Sequence, residues 1–210
     1  MKIEINLKIF IVLILFFLIN NINTYLVFLF FILIHEIAHL IVGILIGGKP
    51  KRMSLDIFGV SLEFYSYEKT NSWYNLIFYL SGPISNIIIA GVIYLLFKNK
   101  DELLLIMVTN LAIGIFNLIP ILPLDGGKIL REILKLKIGI RLANKISIYI
   151  SKWVLVIISF VYSILIIKMK NIVVFFLLIY LWYLYSIEEK KYNIYEKTSN
   201  AIEKMIWLEI

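Results

Sequence analysis

The chain has 210 residues, of which 61% are hydrophobic, 15% aromatic and 17% charged, and its mean hydropathy is +0.93. A soluble domain is about 45–50% apolar and about 25% charged, so the composition excludes one or two water-soluble domains and points to a single membrane-embedded unit with small polar appendages. The net charge of +7 reads as the basic bias of cytoplasmic loops, with no nucleic-acid surface expected. The absence of cysteine excludes disulfides and thiolate chemistry, which leaves any metal to carboxylates and the two histidines.

A spanning helix needs about 20 mostly apolar residues, and six stretches meet or approach that length, near 5–20, 25–47, 73–97, 103–119, 153–167 and 171–187. The expected fold class is therefore an all-α polytopic membrane protein with about six transmembrane helices over residues 1–187. The first stretch is the shortest, Ile9–Ile19 preceded by Lys2 and Lys8. Asn20-Asn21-Ile22-Asn23-Thr24 offers no small-residue cleavage site, so it reads as a short span with Lys8 snorkelling rather than a signal peptide. Between the second and third spans, residues 51–67 carry β-formers on both sides of Gly59 and predict a small hairpin. Residues 127–151 mix Ile and Leu with basic side chains such as Lys128 and Lys135, and predict an amphipathic segment on the cytoplasmic leaflet. Residues 188–210 form a short charged tail. With six spans both termini share a side that collects 17 of the 21 Lys and Arg, which makes it cytoplasmic.

The second span contains His35-Glu36-Ile-Ala-His39 in an otherwise apolar run. Imidazoles at i and i+4 lie one above the other on a helix face, about 6 Å apart, and can reach one metal ion. Glu36 is the only acid in any predicted span, and a charged group at mid-helix costs roughly 2.5–3.5 kcal/mol on the insertion scale. Its position beside His35 suits bonding a water on the metal. The bland alternative is a polar cluster that glues helices together, but both histidines of the chain fall in this one motif.

Zinc in a hydrolytic site takes three protein ligands and leaves one position open. The best candidate for the third is Asp125, in Asn117-Leu-Ile-Pro120-Ile-Leu-Pro123-Leu-Asp125-Gly126-Gly127-Lys128. Pro120 and Pro123 end the fourth helix, and irregular backbone at membrane depth is tolerated where it lines a cavity. Taken alone, an Asp-Gly turn is commonplace. In the third span, Ser81-Gly82-Pro83-Ile84-Ser85-Asn86 is a second polar interruption. It reads equally as close helix packing or as support for the site through Ser85 and Asn86.

These three motifs in this order, His35-Glu36-x-x-His39, Gly82-Pro83-x-x-Asn86 and Asn117…Pro120-x-x-Pro123-x-Asp125-Gly126, resemble the site-2 proteases, the zinc intramembrane metalloproteases of peptidase family M50. Within them the pattern is similar to the stage IV sporulation protein FB branch, with its six spans and Pro-Leu-Asp-Gly-Gly run. The likeness covers roughly residues 5–187. It implies one zinc ion on His35, His39 and Asp125, Glu36 as the catalytic acid/base, and Asn117 and Pro123 beside the bound substrate. It also implies a membrane-associated protein substrate, a transcription-factor precursor or anti-sigma factor, and regulatory membrane proteins as partners. Only about 23 residues follow the last predicted span, so the nucleotide-sensing CBS domain of that branch is not expected, nor a PDZ domain in the loops.

The expected mechanism is a Glu36-assisted attack of water, with the proton returned to the leaving amine. The hairpin would offer a strand edge to an unwound substrate, or merely cover the site. His39 lies about 12 Å along the helix from Gly47, which places cleavage toward the cytoplasmic face. The competing function is an intramembrane metal-binding transporter without protease activity. Carriers are often built from repeated halves, and the halves of this chain show no similarity.

Overall fold

In the computed structural model, residues 2–5, 22–56, 59–64, 71–97, 103–169 and 172–208 are described. They form three strands, β1 (Lys2–Ile5), β2 (Pro50–Asp56) and β3 (Gly59–Phe64), and six helices: α1 (Ile22–Leu45), α2 (Ser72–Phe97), α3 (Leu104–Asn117), α4 (Asp125–Ile138), α5 (Ile140–Met169) and α6 (Ile172–Leu208). The chain divides into two compact units, Met1–Leu118 and Ile119–Ile210.

In the first unit, α1 runs through a sequence that is apolar apart from its first turn and the His35–His39 motif, and stops where the backbone turns left-handed. Gly47 has φ +90°; its N–H bonds the carbonyl of Ile44 at 2.9 Å and that of Gly48 bonds Gly43 at 2.8 Å. This pair of bonds is the Schellman closure that a glycine after the last turn permits. At the start of α2, Asn71 caps the helix, its Oδ1 accepting from the Trp73 N–H at 3.3 Å. Helices α1, α2 and α3 pack together, and α1 also packs against β3. Phe31 and Ile32 of α1 and Ile113 of α3 are buried in one cluster, flanked by Val27, Ile89 and Ile106.

The strands form one sheet in the order β1-β2-β3. β2 and β3 are antiparallel, from Asp56 opposite Gly59 to Pro50 opposite Phe64, and β1 lies parallel to β2 with Lys2 opposite Arg52. β1 has no counterpart in the expected elements, and it takes Ile5, the first residue of the first predicted span. Lys-Ile-Glu-Ile alternates with the period of a strand, and a hydropathy window tuned to helices does not see that. The remainder of that span, residues 6–20, lies outside the described residues.

In the second unit α4 is amphipathic, with Asp125 in its first turn and Lys135 and Lys137 in its last. Gly139, at φ +80°, separates it from α5, so the stretch 127–151 is shared between two helices, the later part continuous with residues 153–167. Ala143, Ser147 and Ser151, spaced four apart on α5, are fully buried, and small residues at this spacing let helix backbones come close. Helices α5 and α6 are joined by the Trp182 indole N–H donating to Ser159 Oγ at 3.0 Å. Residues 188–208 continue α6 as helix.

Among the described residues three helices are long and apolar enough to cross a membrane, at Tyr25–Leu45, Ser72–Phe97 and Ile140–Ile164. α3 is apolar but has 14 residues, a length of about 21 Å against a hydrocarbon core of about 30 Å. Large apolar side chains stand exposed on these helices, Leu45 at 79% and Leu95 at 78% among them. Such surfaces are at home in lipid, as the composition requires.

Candidate metal centre

The motif residues His35 and His39 fall inside α1, and both rings are buried, at 3% and 4% exposure. Their Nε2 atoms approach to 3.2 Å while their Nδ1 atoms point outward to separate partners. His35 Nδ1 lies 2.7 Å from Asn86 Oδ1, and His39 Nδ1 lies 2.7 Å from the carbonyl oxygen of Phe78. A carbonyl oxygen only accepts, so His39 carries its proton on Nδ1.

The same conclusion for His35 follows from a chain of amides. Asn110 Nδ2 donates to the Ile106 carbonyl at 2.9 Å, which turns Asn110 Oδ1 toward Asn86. Asn86 Nδ2 donates to that oxygen at 3.0 Å, and more weakly to the Phe31 carbonyl at 3.4 Å. Asn86 Oδ1 is therefore the atom that faces His35, and His35 must donate from Nδ1. Both asparagines are fully buried, so water does not compete for these bonds. Second partners of this kind fix the tautomer of a metal-binding histidine and raise its basicity.

With the ring protons on Nδ1, both Nε2 atoms are unprotonated and turn their lone pairs toward one another. At 3.2 Å that contact is repulsive unless a cation lies against both. Two nitrogens bound to one tetrahedral zinc at 2.0–2.1 Å are about 3.3 Å apart, which is the edge observed. The space beside them is kept open by Gly82 of α2. A Cβ built there would stand 2.6 Å from His35 Nε2 and closer still to His39 Nε2. The donor set and the cradle therefore fit a zinc ion.

α2 is shaped for this approach. Pro83 is buried inside it, removing one helical N–H and crowding the preceding turn. Just before it, the Phe78 carbonyl accepts from Ser81 Oγ at 2.7 Å as well as from His39. Ser81 Oγ also lies 3.1 Å from His39 Nδ1, where it accepts. Ser85 Oγ instead donates to the Gly82 carbonyl at 2.7 Å within its own helix. Glu36, following His35 on α1, is partly buried.

Asp125 belongs to the second unit and is buried at 6% exposure as the first residue of α4. The positive end of a helix dipole suits an anion there, and Lys128 Nζ lies 3.4 Å from its Oδ1. The turn that leads into it is tightly held. The Leu122 N–H donates to Ser151 Oγ at 3.0 Å, and Ser151 donates in turn to the Ser147 carbonyl at 2.7 Å. Gly127 makes room for the turn, since a Cβ on it would meet the Ile121 oxygen and the Leu122 nitrogen at 2.6 Å. Pro123 is partly buried in this turn. Asn117, in the first unit, donates from Nδ2 to the Ile113 carbonyl one turn back at 3.0 Å.

Asn110 and the Phe78 carbonyl are the site partners that sequence reasoning missed. The available signal was an asparagine in the middle of the apolar run 103–119, where an unpaired amide is costly. A backbone carbonyl carries no sequence signal at all.

Residues 98–161 match the family described as Peptidase family M50, a range that includes Asn117, Pro123 and Asp125 but not the histidine motif. A zinc metalloprotease of Methanocaldococcus jannaschii is 33% identical over 129 residues, 58% of this chain and 37% of the relative. Stage IV sporulation protein FB of Bacillus subtilis is 25% identical over 152 residues, 70% of this chain and 53% of the relative. The chain thus spans about a third to a half of the length of these curated relatives. The site-2 protease from Methanocaldococcus jannaschii has a similar fold, with a TM-score of 0.67, 24% identity and 89% of each chain covered.

Proposed function

We infer that this chain, which carries a Peptidase family M50 match and the fold of a site-2 protease, is a zinc-dependent intramembrane endopeptidase. The observation that supports the reading is the pair of buried, unprotonated Nε2 atoms 3.2 Å apart beside the space that Gly82 leaves. His35, His39 and Asp125 would hold the ion, giving two nitrogens and one oxygen and leaving a coordination position free. When bound, zinc supplies Lewis acidity at the scissile carbonyl.

The chain's own residues do the rest. Glu36 accepts the proton of the attacking water and delivers it to the leaving nitrogen, so no covalent enzyme intermediate forms. Asn86 and Asn110 hold His35, and the Phe78 carbonyl holds His39, each with its metal-binding lone pair turned inward. Asn117 and Pro123 flank the bound substrate segment. A helical substrate hides its peptide groups in internal hydrogen bonds, and the outer edge of β3 supplies main-chain partners for an unwound one.

The membrane arrangement is six spans with both termini cytoplasmic, supported by the Lys and Arg asymmetry. The substrate is a membrane-associated protein, a transcription-factor precursor or anti-sigma factor, and regulatory membrane proteins accompany it. Similarity to stage IV sporulation protein FB supports a role in sporulation.

The test is reconstitution of the purified chain with membrane-tethered candidate substrates, with zinc measured by elemental mass spectrometry. Glu36→Gln should retain about one zinc per chain and cut nothing. Unchanged turnover by that variant overturns the role of Glu36, and metal flux without cleavage by the wild type overturns the protease reading.

A further inference from the structure

A groove of about 380 Å³ lies in the second unit between α5 and α6. Its α5 wall carries Lys145, Tyr149, Lys152 and Trp153, and its α6 wall carries Tyr185, Glu189 and Tyr192. The α5 residues fall at spacings of four, three and one, so they share one helical face. Tyr149 and Trp153 stack edge to face at 6.0 Å and are 62% and 50% exposed.

The charge distribution along the two helices fixes the depth of this groove. On α5 no charged residue occurs between Lys152 and Lys168, and on α6 none occurs from Ile172 to Ile187. Both uncharged stretches end at the groove, so one end of it meets hydrocarbon and the other meets water. Trp and Tyr are the side chains enriched at that boundary, and Lys reaches from it toward the headgroups.

The charges inside the groove do not cancel. Glu189 accepts a hydrogen bond from the buried Tyr185 hydroxyl at 2.8 Å. Lys145 and Lys152 are exposed, and neither has an ion-pair partner among the described residues. Two ammonium groups on one helical face, beside an aromatic and aliphatic cleft, complement a molecule with a negative head and an apolar tail. We propose that the α5–α6 groove binds an anionic glycerophospholipid, with Lys145 and Lys152 on the headgroup phosphate, Tyr149 between them, and Trp153 at the acyl-chain end. The proposal is independent of the zinc chemistry.

The full-length chain, purified in detergent, is titrated with dioleoyl phosphatidylglycerol and, separately, with dioleoyl phosphatidylcholine, and bound lipid is counted by native mass spectrometry. Phosphatidylglycerol should bind as a discrete one-to-one adduct and phosphatidylcholine should not. Lys145→Gln with Lys152→Gln should weaken the adduct about 30-fold, the size expected for losing two basic contacts at a membrane surface. Lys190→Gln with Lys197→Gln, an equal change of charge on α6 outside the groove, should leave it intact. Soluble glycerol 3-phosphate at the same concentration should not displace the lipid. Equal binding of the two lipids by the wild type overturns the proposal without any variant. So does equal loss in the two double variants, which would mean diffuse attraction, or full displacement by glycerol 3-phosphate, which would mean a headgroup site with no place for a tail.

Discussion

Asn110 makes no contact with the metal-binding atoms, yet the amide chain predicts that zinc affinity depends on it. Asn110→Leu keeps the size and removes the acceptor that holds Asn86 Nδ2 at 3.0 Å, leaving only the 3.4 Å contact to the Phe31 carbonyl. With both positions fully buried, water cannot replace the lost partner, and a stranded amide costs about 1–3 kcal/mol. Only the 3.4 Å contact to the Phe31 carbonyl then keeps Asn86 Oδ1 turned toward His35, and the amide is free to rotate off the ring. His35 Nδ1 loses the acceptor that holds its proton there, and a proton placed on Nε2 instead blocks the metal-binding lone pair. Losses of this kind typically reduce metal affinity 10–100-fold, or about 1.4–2.7 kcal/mol. Asn110→Asp, buried as the neutral acid, can donate to Ile106 and accept from Asn86, and it should restore affinity to within a few-fold of wild type. Zinc dissociation constants from competition with a chromophoric chelator, and imidazole ¹⁵N shifts of the apo protein to read the tautomer, decide the matter. Wild-type affinity in Asn110→Leu refutes the relay, as does equal impairment of the Leu and Asp variants, which would reduce the effect to packing.

Gly82→Ala should abolish zinc binding, because its Cβ falls 2.6 Å from His35 Nε2 and either the rings or the helices must move; elemental analysis after dialysis reads the outcome, and stoichiometric zinc contradicts it. Gly127→Ala sets two effects against each other. Helix propensity favours alanine by about 1 kcal/mol, but the new methyl meets the Ile121 and Leu122 backbone at 2.6 Å or less, and overpacking costs about 1–3 kcal/mol. The expected net result is a lower melting temperature, and an unchanged or raised one would show that the turn yields easily. Asp125→Ala should leave less than one zinc per chain, and full occupancy would assign the third ligand to another residue.

What the sequence made legible was what lies close along the chain. Histidines four apart, an acid between them, and prolines and glycines around Asp125 are each local patterns, and helix geometry or turn chemistry converts each directly into a placement. β1 was not legible, because its pairing with β2 joins residues about fifty apart and its four residues contain no hydropathy break that separates strand from span. Gly139 escaped notice for a related reason. A basic, Ile-rich stretch reads as one amphipathic helix, and only a positive φ shows where the axis changes.

The Gly82–Asn86 interruption shows why a motif can be seen without its meaning. Small residues in an apolar helix signal close packing whatever the neighbour is, and the sequence does not say which surface comes close. Here the neighbour is the pair of imidazoles, so the missing Cβ of Gly82 makes room for their Nε2 atoms while Asn86, one turn further along, fixes the His35 tautomer. Packing and chemistry are therefore one requirement at this position. A larger residue at 82 closes the cradle, and an apolar residue at 86 leaves a buried imidazole N–H without its acceptor. Asn110 extends the same logic one helix further, to a residue whose only connection to the metal site runs through another side chain's orientation. A single sequence can mark such a residue as an isolated amide in oil, but only the packed helices show what it orients.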